Sequence, residues 1–206
     1  AYGDDHYHDL MEAVLISDPD TIEFKQNLHA GVSDTFMGGL DHVDIAAAAQ
    51  RMLERLIGNV MRRARDFKWS TNLVYQGGVA LNCLANRRIG RFFDDIWIMP
   101  CPGDAGSSLG AAALAHGKRL HWNNAYLGHN IPGAYPVDDL VRGLLHNRIV
   151  GVASGRAEFG PRALGNRSLL ADPRGTEIKG QVNAIKRRQQ FRPFAPVILA
   201  EHADRY

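Results

Sequence analysis

Apolar residues recur at steps of three and four positions between Ile45 and Ala64, and this spacing predicts one long amphipathic helix. The stretch reads DIAAAAQRMLERLIGNVMRRARDF, with charged residues between the apolar positions. Asp41 or Asp44 is available as the N-cap, because a short acidic side chain accepts hydrogen bonds from the free N–H groups of a first turn. The segment HDLMEAVLI predicts a short helix within residues 1–40, where little else indicates regular structure.

Two short apolar runs are each followed by a glycine turn and a helical pattern. NLVYQGG predicts a strand that enters a turn at Gly77 and Gly78, and ALNCLANRRIG predicts the helix that follows. DIWIMP predicts a second strand, ended by Pro100, and PGDAGSSLGAAALAHGKRL turns on glycine into an alanine-rich helix. The order strand, glycine turn, helix occurs twice, which predicts an α/β layered fold rather than a bundle or a sandwich.

The turn-rich segment NNAYLGHNIPGAYP predicts a domain boundary near or just after it. Beyond it, VDDLVRGLLHN predicts a helix, RIVGVASG a strand, TEIKGQVNAIKRR a helix and APVILA a final strand. We therefore divide the chain into residues 1–147 and residues 148–206.

The composition is ordinary, but the charged residues are distributed unevenly between these two regions. With 45% hydrophobic and 22% charged residues, the chain has the composition of a soluble globular protein, and no apolar run approaches the length of a membrane span. No segment resembles a signal peptide, so we expect a cytoplasmic protein. Residues 1–147 hold 13 Lys+Arg against 17 Asp+Glu, whereas residues 148–206 hold 11 against 5. The second region, with a balance of +6, is therefore expected to attract anions.

The stretch SGRAEFGPRALGNRSLLADPRG concentrates arginines on an irregular backbone. A guanidinium group binds phosphate or carboxylate oxygens through two parallel hydrogen bonds, and glycine-rich loops can direct several such groups at one point. This pattern favours anion binding by Arg156 and Arg162, with Glu158 as a partner that orients one guanidinium group. Lys186 and Arg192 follow in KRRQQFR, for which a solvated basic face is an equal alternative.

The two glycine turns are candidates for nucleotide binding. Glycines let a backbone approach a ligand closely, and the start of a helix offers N–H groups to an anion. In the second turn, Asp104 lies between Gly103 and Gly106, where a carboxylate can ligate a metal ion that bridges nucleotide phosphates. Two alternatives stay open, namely a purely structural role for the glycines and an N-cap role for Asp104.

Four motifs, taken in order, resemble the O-carbamoyltransferase family, which includes nodulation-factor and antibiotic-tailoring carbamoyltransferases. They are GGVALNCLANRRI, MPCPGDAGSSLGAA, GRAEFGPRALGNRSLLADPRG and VNAIKRRQQFRPFAP, and the similarity covers residues 40–206. The resemblance implies an actin/Hsp70-type (ribonuclease-H-like) ATPase module followed by a YrdC-like module. Residues 1–147 would be the C-terminal part of the first module and residues 148–206 the beginning of the second. We therefore expect the chain to be a fragment of a longer polypeptide.

The resemblance also implies a reaction and its ligands. Carbamoyl phosphate and ATP would give a carbamoyl-adenylate, which carbamoylates a hydroxyl group of a small molecule, with iron, manganese or magnesium as the divalent metal ion. A membrane is not expected as a partner, no catalytic residue is identified, and a homo-oligomer stays open. The implied sites are ATP at Gly77, Gly78, Asn82, Gly103 and Gly106, metal at Asp104, and carbamoyl phosphate at Arg162, Lys186 and Arg192, with Arg156 and Arg167 as further candidates.

Two other functions are weighed against this one. A threonylcarbamoyl-transfer or hydrogenase-maturation protein would use related chemistry, but there the order of the modules differs and GPRALGNRS is not typical. A nucleic-acid-binding module would explain the basic C-terminal region. Its arginines, however, lie among glycines with few aromatic residues between them, so nucleic acid is not the expected partner.

Overall fold

The computed structural model describes residues 2–33 and 35–205. The chain divides into two compact units, Ala1–Lys118 and Arg119–Tyr206. Both units combine helices with short two-stranded sheets, so the predicted α/β class is confirmed at this level. Within the described residues, no helix has the length and apolar character needed to cross a membrane.

The long helix of the first unit forms where the apolar spacing predicts it. Helix α2, His42–Asp66, begins after Asp41, whose carboxylate accepts a 2.8 Å hydrogen bond from the N–H of Val43. Its apolar stripe packs against α1, His8–Leu15, which HDLMEAVLI predicts. Two short antiparallel strands, β1 (Ile16–Asp18) and β2 (Glu23–Phe24), follow α1. The core here consists of Met11, Leu15, Ile16, Ala48, Met52 and Leu56.

Both predicted strand–turn–helix units are present. Strands β3 (Asn72–Tyr75) and β4 (Asp95–Ile98) pair in parallel, and helices α3 (Cys83–Ile89) and α4 (Ser107–His116) follow them. Alternate strand residues, such as Leu73 and Ile96, pack on a core of Met61, Ile89 and Phe93. Because the strands are parallel, their carboxyl ends, with the glycine turns, lie at one edge of the sheet.

The second unit is built from short antiparallel pairs and two helices. Its longest pair joins β6 (Ile149–Ala153) to β8 (Arg167–Ala171), and a shorter one joins β5 (Asn130–Ile131) to β7 (Gly155–Arg156). Helix α5, Val137–Asn147, ends at Arg148 in the left-handed conformation and leads directly into β6. Helix α6, Ile178–Ile185, follows β8.

The predicted strand at APVILA is wrong. Residues 195–199 have no regular structure, and a 3₁₀ helix, Ala200–Arg205, follows them. Val197 is 88% exposed and Leu199 is 62% exposed. An apolar, β-branched run has the propensity for a strand, but a strand needs a neighbour to take up its N–H and C=O groups. Among the described residues no strand pairs with this segment.

Candidate functional site in two parts

The two glycine turns of the first unit are in direct contact. The N–H of Gly77 donates a 2.7 Å hydrogen bond to the carbonyl oxygen of Pro102. A Cβ atom placed on Gly103 would lie 3.8 Å from the Cα atom of Gly78. Two motifs that are 26 positions apart in the sequence, at Gly77 and Gly103, therefore form one glycine-rich surface. We call it the glycine corner, residues 77–78 and 103–106.

The glycine corner presents backbone N–H groups without side-chain caps. Gly77 (φ +110°) precedes a 3₁₀ turn at Gly78–Leu81, and Gly103 precedes another at Asp104–Gly106. Neither turn has a side chain that accepts a hydrogen bond from its first N–H groups. A Cβ atom at Gly77 or Gly78 would meet no atom within 4 Å, so a ligand can approach this backbone closely. This arrangement suits the oxygen atoms of an anion.

Asp104 lies at the edge of the glycine corner with an exposed carboxylate. Helix α4 has Gly106 as its N-cap and no side-chain cap bond, so the alternative in which Asp104 caps that helix is wrong. The carboxylate has no hydrogen-bond or ion-pair partner in the described part of the chain. Among these residues, no three His, Cys, Asp or Glu side chains gather as a metal site.

The remaining predicted nucleotide residues have structural contacts. Asn82 caps α3, because its Oδ1 atom accepts a 3.1 Å hydrogen bond from the N–H of Ala85. Its amide group also exchanges hydrogen bonds of 2.8 Å and 3.2 Å with the amide group of Gln50 on α2. At Gly106, a Cβ atom would overlap the carbonyl oxygen of Cys101, so this position requires glycine for packing. Gln50 gave no signal in the sequence, since its partner is 32 positions away.

In the second unit, residues 157–166 form a loop that we call the arginine loop. The carboxylate of Glu158 accepts hydrogen bonds from the N–H groups of Leu164 (2.8 Å), Asn166 (2.8 Å) and Arg167 (3.2 Å). Partial burial raises the pKa of the Glu158 carboxyl, but these backbone donors outweigh it and hold the pKa below its ordinary value. Glu158 pairs with no guanidinium group directly in the described structure, because its hydrogen bonds go to backbone N–H groups.

Two tyrosines hold the same loop through its carbonyl groups. The hydroxyl group of Tyr126 donates a 2.9 Å hydrogen bond to the carbonyl oxygen of Leu164. The hydroxyl group of Tyr135 donates one of 2.9 Å to the carbonyl oxygen of Gly165. Side chains therefore hold this loop through its N–H groups, which bond to Glu158, and through its carbonyl groups, which bond to the two tyrosines. Neither tyrosine was identified from sequence, because each is at least 30 positions from its partner.

Arg167, a predicted carbamoyl phosphate ligand, hydrogen-bonds mainly to backbone carbonyl groups. Its Nη1 atom donates to the carbonyl oxygens of Ser154 (2.8 Å) and Asn166 (2.8 Å). Its Nη2 atom donates to those of His129 (3.0 Å) and Gly155 (3.2 Å). The guanidinium group therefore joins the residue before β5, the start of β7 and the residue before β8, and both of its terminal nitrogens are occupied.

An open cavity of about 210 Å³ lies on the arginine loop. Arg162 lies at this cavity with an exposed side chain. In the described part of the chain, no acidic side chain or carbonyl group pairs with its guanidinium group. The cavity is lined by Ala157, Glu158, Gly160, Pro161, Arg162, Ala163 and Arg167.

The other predicted anion ligands lie outside this lining. Arg156 is exposed and donates a 3.1 Å hydrogen bond to the carbonyl oxygen of Leu127. Lys186 and Arg192 follow α6 and are exposed. The structure therefore brings Arg162 and Arg167 to one cavity and leaves the other three cations off its walls.

A buried asparagine organises the segment that carries Lys186 and Arg192. The Nδ2 atom of Asn183, which is fully buried, donates 3.1 Å hydrogen bonds to the carbonyl oxygens of Gln190 and Arg192. Its Oδ1 atom accepts a 2.7 Å hydrogen bond from the Nε atom of Arg188. The guanidinium group of Arg188 also lies 4.4 Å from the ring centre of Phe194. Arg188 therefore stabilises the segment and is not one of its free cations.

Comparison with known proteins covers both parts of the site. A family model described as the carbamoyltransferase N-terminus matches residues 6–113, more than half of the chain. A second model, the carbamoyltransferase C-terminus, matches residues 141–206. The chain belongs to the carbamoyltransferase family. The glycine corner lies in the N-terminal part of this enzyme family's sequence, and the arginine loop lies in its C-terminal part.

Individual relatives agree with the family match. The nodulation protein NolO of Bradyrhizobium diazoefficiens is 38% identical over 197 residues, covering 80% of this chain and 35% of that protein. A nodulation protein U of the same organism is 37% identical over 181 residues, covering 78% of this chain and 32% of that protein. An uncharacterized protein of Synechocystis sp. is 36% identical over 198 residues, covering 80% of this chain and 32% of that protein. The chain thus spans about a third of the length of these relatives.

Proposed function

We propose that the chain is the part of an ATP-dependent O-carbamoyltransferase that binds ATP and carbamoyl phosphate. The observation that carries this proposal is the guanidinium group of Arg162. It lies at a cavity in the C-terminal part of the carbamoyltransferase sequence and has no partner among the described residues. A cation on a glycine-rich loop can bind phosphate oxygens through two parallel hydrogen bonds. Carbamoyl phosphate, with its small size and negative charge, suits this cavity.

The proposal assigns the two regions to different modules. Residues 1–147 would belong to an actin/Hsp70-type ATPase module, and residues 148–206 would begin a YrdC-like module. Support for the first comes from the parallel strands β3 and β4, whose carboxyl ends carry the glycine corner. Support for the second comes from the excess of positive charge beyond residue 147. We propose that this ATP-dependent reaction takes place in the cytoplasm.

In the first region, the glycine corner would hold the phosphates of ATP. Its uncapped N–H groups and exposed glycine backbone supply neutral donors at close range. The free carboxylate of Asp104 fits a hard divalent cation that takes its other ligands from phosphates and water, which magnesium prefers. When bound, such an ion would offset the negative charge of the phosphates.

The proposed carbamoyl transfer has three steps. Carbamoyl phosphate and water give carbamate and inorganic phosphate, as the bond between the carbamoyl group and the phosphate group breaks. A carbamate oxygen then attacks the α-phosphorus of ATP, pyrophosphate leaves, and carbamoyl-adenylate forms. Finally the oxygen of an acceptor hydroxyl attacks the carbamoyl carbon, AMP leaves, and the hydroxyl proton passes to solvent or a base. A reactive adenylate requires protection from water until the acceptor arrives.

The test is an isotope exchange that needs no knowledge of the acceptor. Labelled pyrophosphate is incubated with ATP, carbamoyl phosphate and the full-length polypeptide that contains this chain. We expect label to enter ATP only when carbamoyl phosphate is present, because the adenylate step is reversible. Formation of ADP without exchange would show phosphoryl transfer instead and would overturn the adenylate route.

A second measurement separates this function from nucleic-acid binding. Carbamoyl phosphate at millimolar concentration should raise the melting temperature of the protein, since a ligand that binds only the folded state stabilises it. Oligonucleotides of matched total charge should leave the melting temperature unchanged. The reverse result would favour a basic nucleic-acid-binding module.

A further inference from the structure

The side chain of Glu158 joins the two sides of the arginine loop nearest to its tip. Farther from the tip, the Nδ2 atom of Asn166 donates a 2.8 Å hydrogen bond to the carbonyl oxygen of Arg156, and the N–H of Ser154 donates one of 3.0 Å to the carbonyl oxygen of Asn166. Glu158 precedes the tip of the loop, and its three backbone donors, Leu164, Asn166 and Arg167, all follow the tip. The carboxylate therefore joins the two sides of the loop across six to nine positions of sequence. Tyr126 and Tyr135 hold only the side that follows the tip.

The tip itself lacks such restraints. Residues 160–163 have no hydrogen bonds to other parts of the described chain, and Gly160 has a φ of +131°, which strongly favours glycine. Arg162 lies within this tip. The direction in which the Arg162 side chain points therefore depends on the contacts that join the two sides of the loop next to this tip.

We propose that Glu158 is a positioning residue, which holds the arginine loop in the conformation that presents Arg162 to the phosphate group of carbamoyl phosphate. This inference rests on the proposed function. A loop that is already ordered before the ligand binds loses little conformational entropy on binding. Its affinity for the ligand is therefore higher than that of a flexible loop. Glu158 acts through Arg162 and does not itself contact the ligand.

The charge of Glu158 is compatible with a neighbouring anion. A bare carboxylate on the cavity wall would repel a phosphate group. Here three backbone N–H groups converge on its Oε1 atom, which disperses the negative charge over fixed dipoles. An aspartate would be one methylene shorter and would not reach all three donors, whereas glutamine keeps an acceptor oxygen at the same reach.

Substitution at Glu158 should therefore weaken binding in a graded manner. We expect Glu158→Ala to lower the affinity for carbamoyl phosphate about tenfold, and Glu158→Gln to lower it by a smaller factor. Glu177→Gln is the matched control. Glu177 is a carboxylate of the same unit, which pairs with Arg148 and lies off the cavity. Circular dichroism of each variant checks that it is folded.

The decisive experiment is a double-mutant cycle, read by titration calorimetry with carbamoyl phosphate. If Glu158 acts through Arg162, Glu158→Ala should have almost no further effect in the Arg162→Ala background. Equal losses in both backgrounds would show a role independent of Arg162 and would overturn the inference. Wild-type affinity in Glu158→Ala would overturn it as well.

Amide hydrogen exchange separates failure of this inference from failure of the proposed function. In the wild type, the N–H groups of Leu164, Asn166 and Arg167 should exchange slowly, and Glu158→Ala should accelerate all three at least about tenfold. If the wild type does not bind carbamoyl phosphate, the proposed function fails. The exchange rates then decide whether Glu158 holds the loop, and equal rates in wild type and variant would reject that role.

Discussion

The N–H of Gly77 donates a 2.7 Å hydrogen bond to the carbonyl oxygen of Pro102, and this bond joins the turns that follow two parallel strands. The two turns together offer uncapped N–H groups on an exposed glycine backbone. Neither turn alone distinguishes a ligand site from an ordinary connection. Because the two turns are in contact, N–H groups from both can bind one ligand, and this supports the proposal that the glycine corner binds a nucleotide.

Substitution of Gly106 by alanine should destabilise the first unit. A Cβ atom there would overlap the carbonyl oxygen of Cys101, and backbone on both sides would have to move. We expect the free energy of unfolding to fall by about 2 kcal/mol, as measured by urea denaturation. Gly110→Ala is the control, because a Cβ atom within α4 meets nothing within 4 Å. That variant should gain about 0.5 to 1 kcal/mol, and similar losses in both variants would contradict the packing argument.

Removal of the Asp104 carboxylate should affect ligand binding and not folding. Because the carboxylate has no partner among the described residues, Asp104→Asn should change stability by less than about 0.5 kcal/mol. We expect the affinity for ATP in the presence of magnesium to fall about tenfold, measured by titration calorimetry. Asp95→Asn, at an exposed position on β4, is the matched control and should bind as the wild type does. Unchanged affinity in Asp104→Asn would remove the metal-binding assignment.

Arg162 is the side chain on which binding of carbamoyl phosphate should depend most. Loss of a charge-assisted pair of hydrogen bonds lowers affinity about 10- to 100-fold, and we expect this for Arg162→Ala. Its melting temperature should stay the same, because the side chain is exposed and unpaired in the described structure. Arg119→Ala removes an exposed arginine of the same unit, outside the cavity, and should leave the affinity unchanged. Equal effects of both substitutions would indicate a diffuse charge effect instead of a site.

Acid stability should depend on Asp172. Hydrogen bonds from the Arg174 side chain lower the pKa of this carboxyl from 3.8 to about 2. A carboxyl whose pKa is lower in the folded state stabilises the fold above pH 4, and this contribution is lost as the pH falls toward 2. Asp172→Asn should therefore reduce the fall in melting temperature between pH 4 and pH 2. Asp204→Asn, at an exposed position, is the control, and parallel curves for wild type and Asp172→Asn would contradict the prediction.

Asn183 should be among the least replaceable polar residues of the second unit. Asn183→Ala would remove a fully buried side chain and leave two carbonyl groups and the Nε atom of Arg188 without their partner at a partly buried site. We expect a loss of about 2 to 3 kcal/mol in the free energy of unfolding. Gln189→Ala, at an exposed position of the same segment, should cost less than about 0.5 kcal/mol. A small loss at Asn183 would mean that the segment keeps its conformation by other contacts.

Local patterns in the sequence determined most of the regular structure. The apolar spacing of α2 and the cap at Asp41 depend on residues within one or two turns of each other, and both predictions are confirmed. The two strand–turn–helix units follow from neighbouring residues in the same manner. The predictions failed at APVILA, which forms no strand, and at Arg167–Ala171, which is strand β8 within a stretch predicted to be irregular. Strand formation depends on a partner that propensity does not reveal.

Which arginines remain available for a ligand was decided only by the tertiary structure. All the arginines between positions 148 and 174 look alike in sequence, since each is a cation near glycine or proline. In the fold, Arg148 pairs with Glu177, Arg174 with Asp172, and Arg167 with carbonyl groups of three separate segments. These partners are brought together by strand pairing and loop closure over up to 38 positions, which no local pattern encodes. Arg162 is left unpaired because it lies at the tip of a loop that Glu158 closes below it.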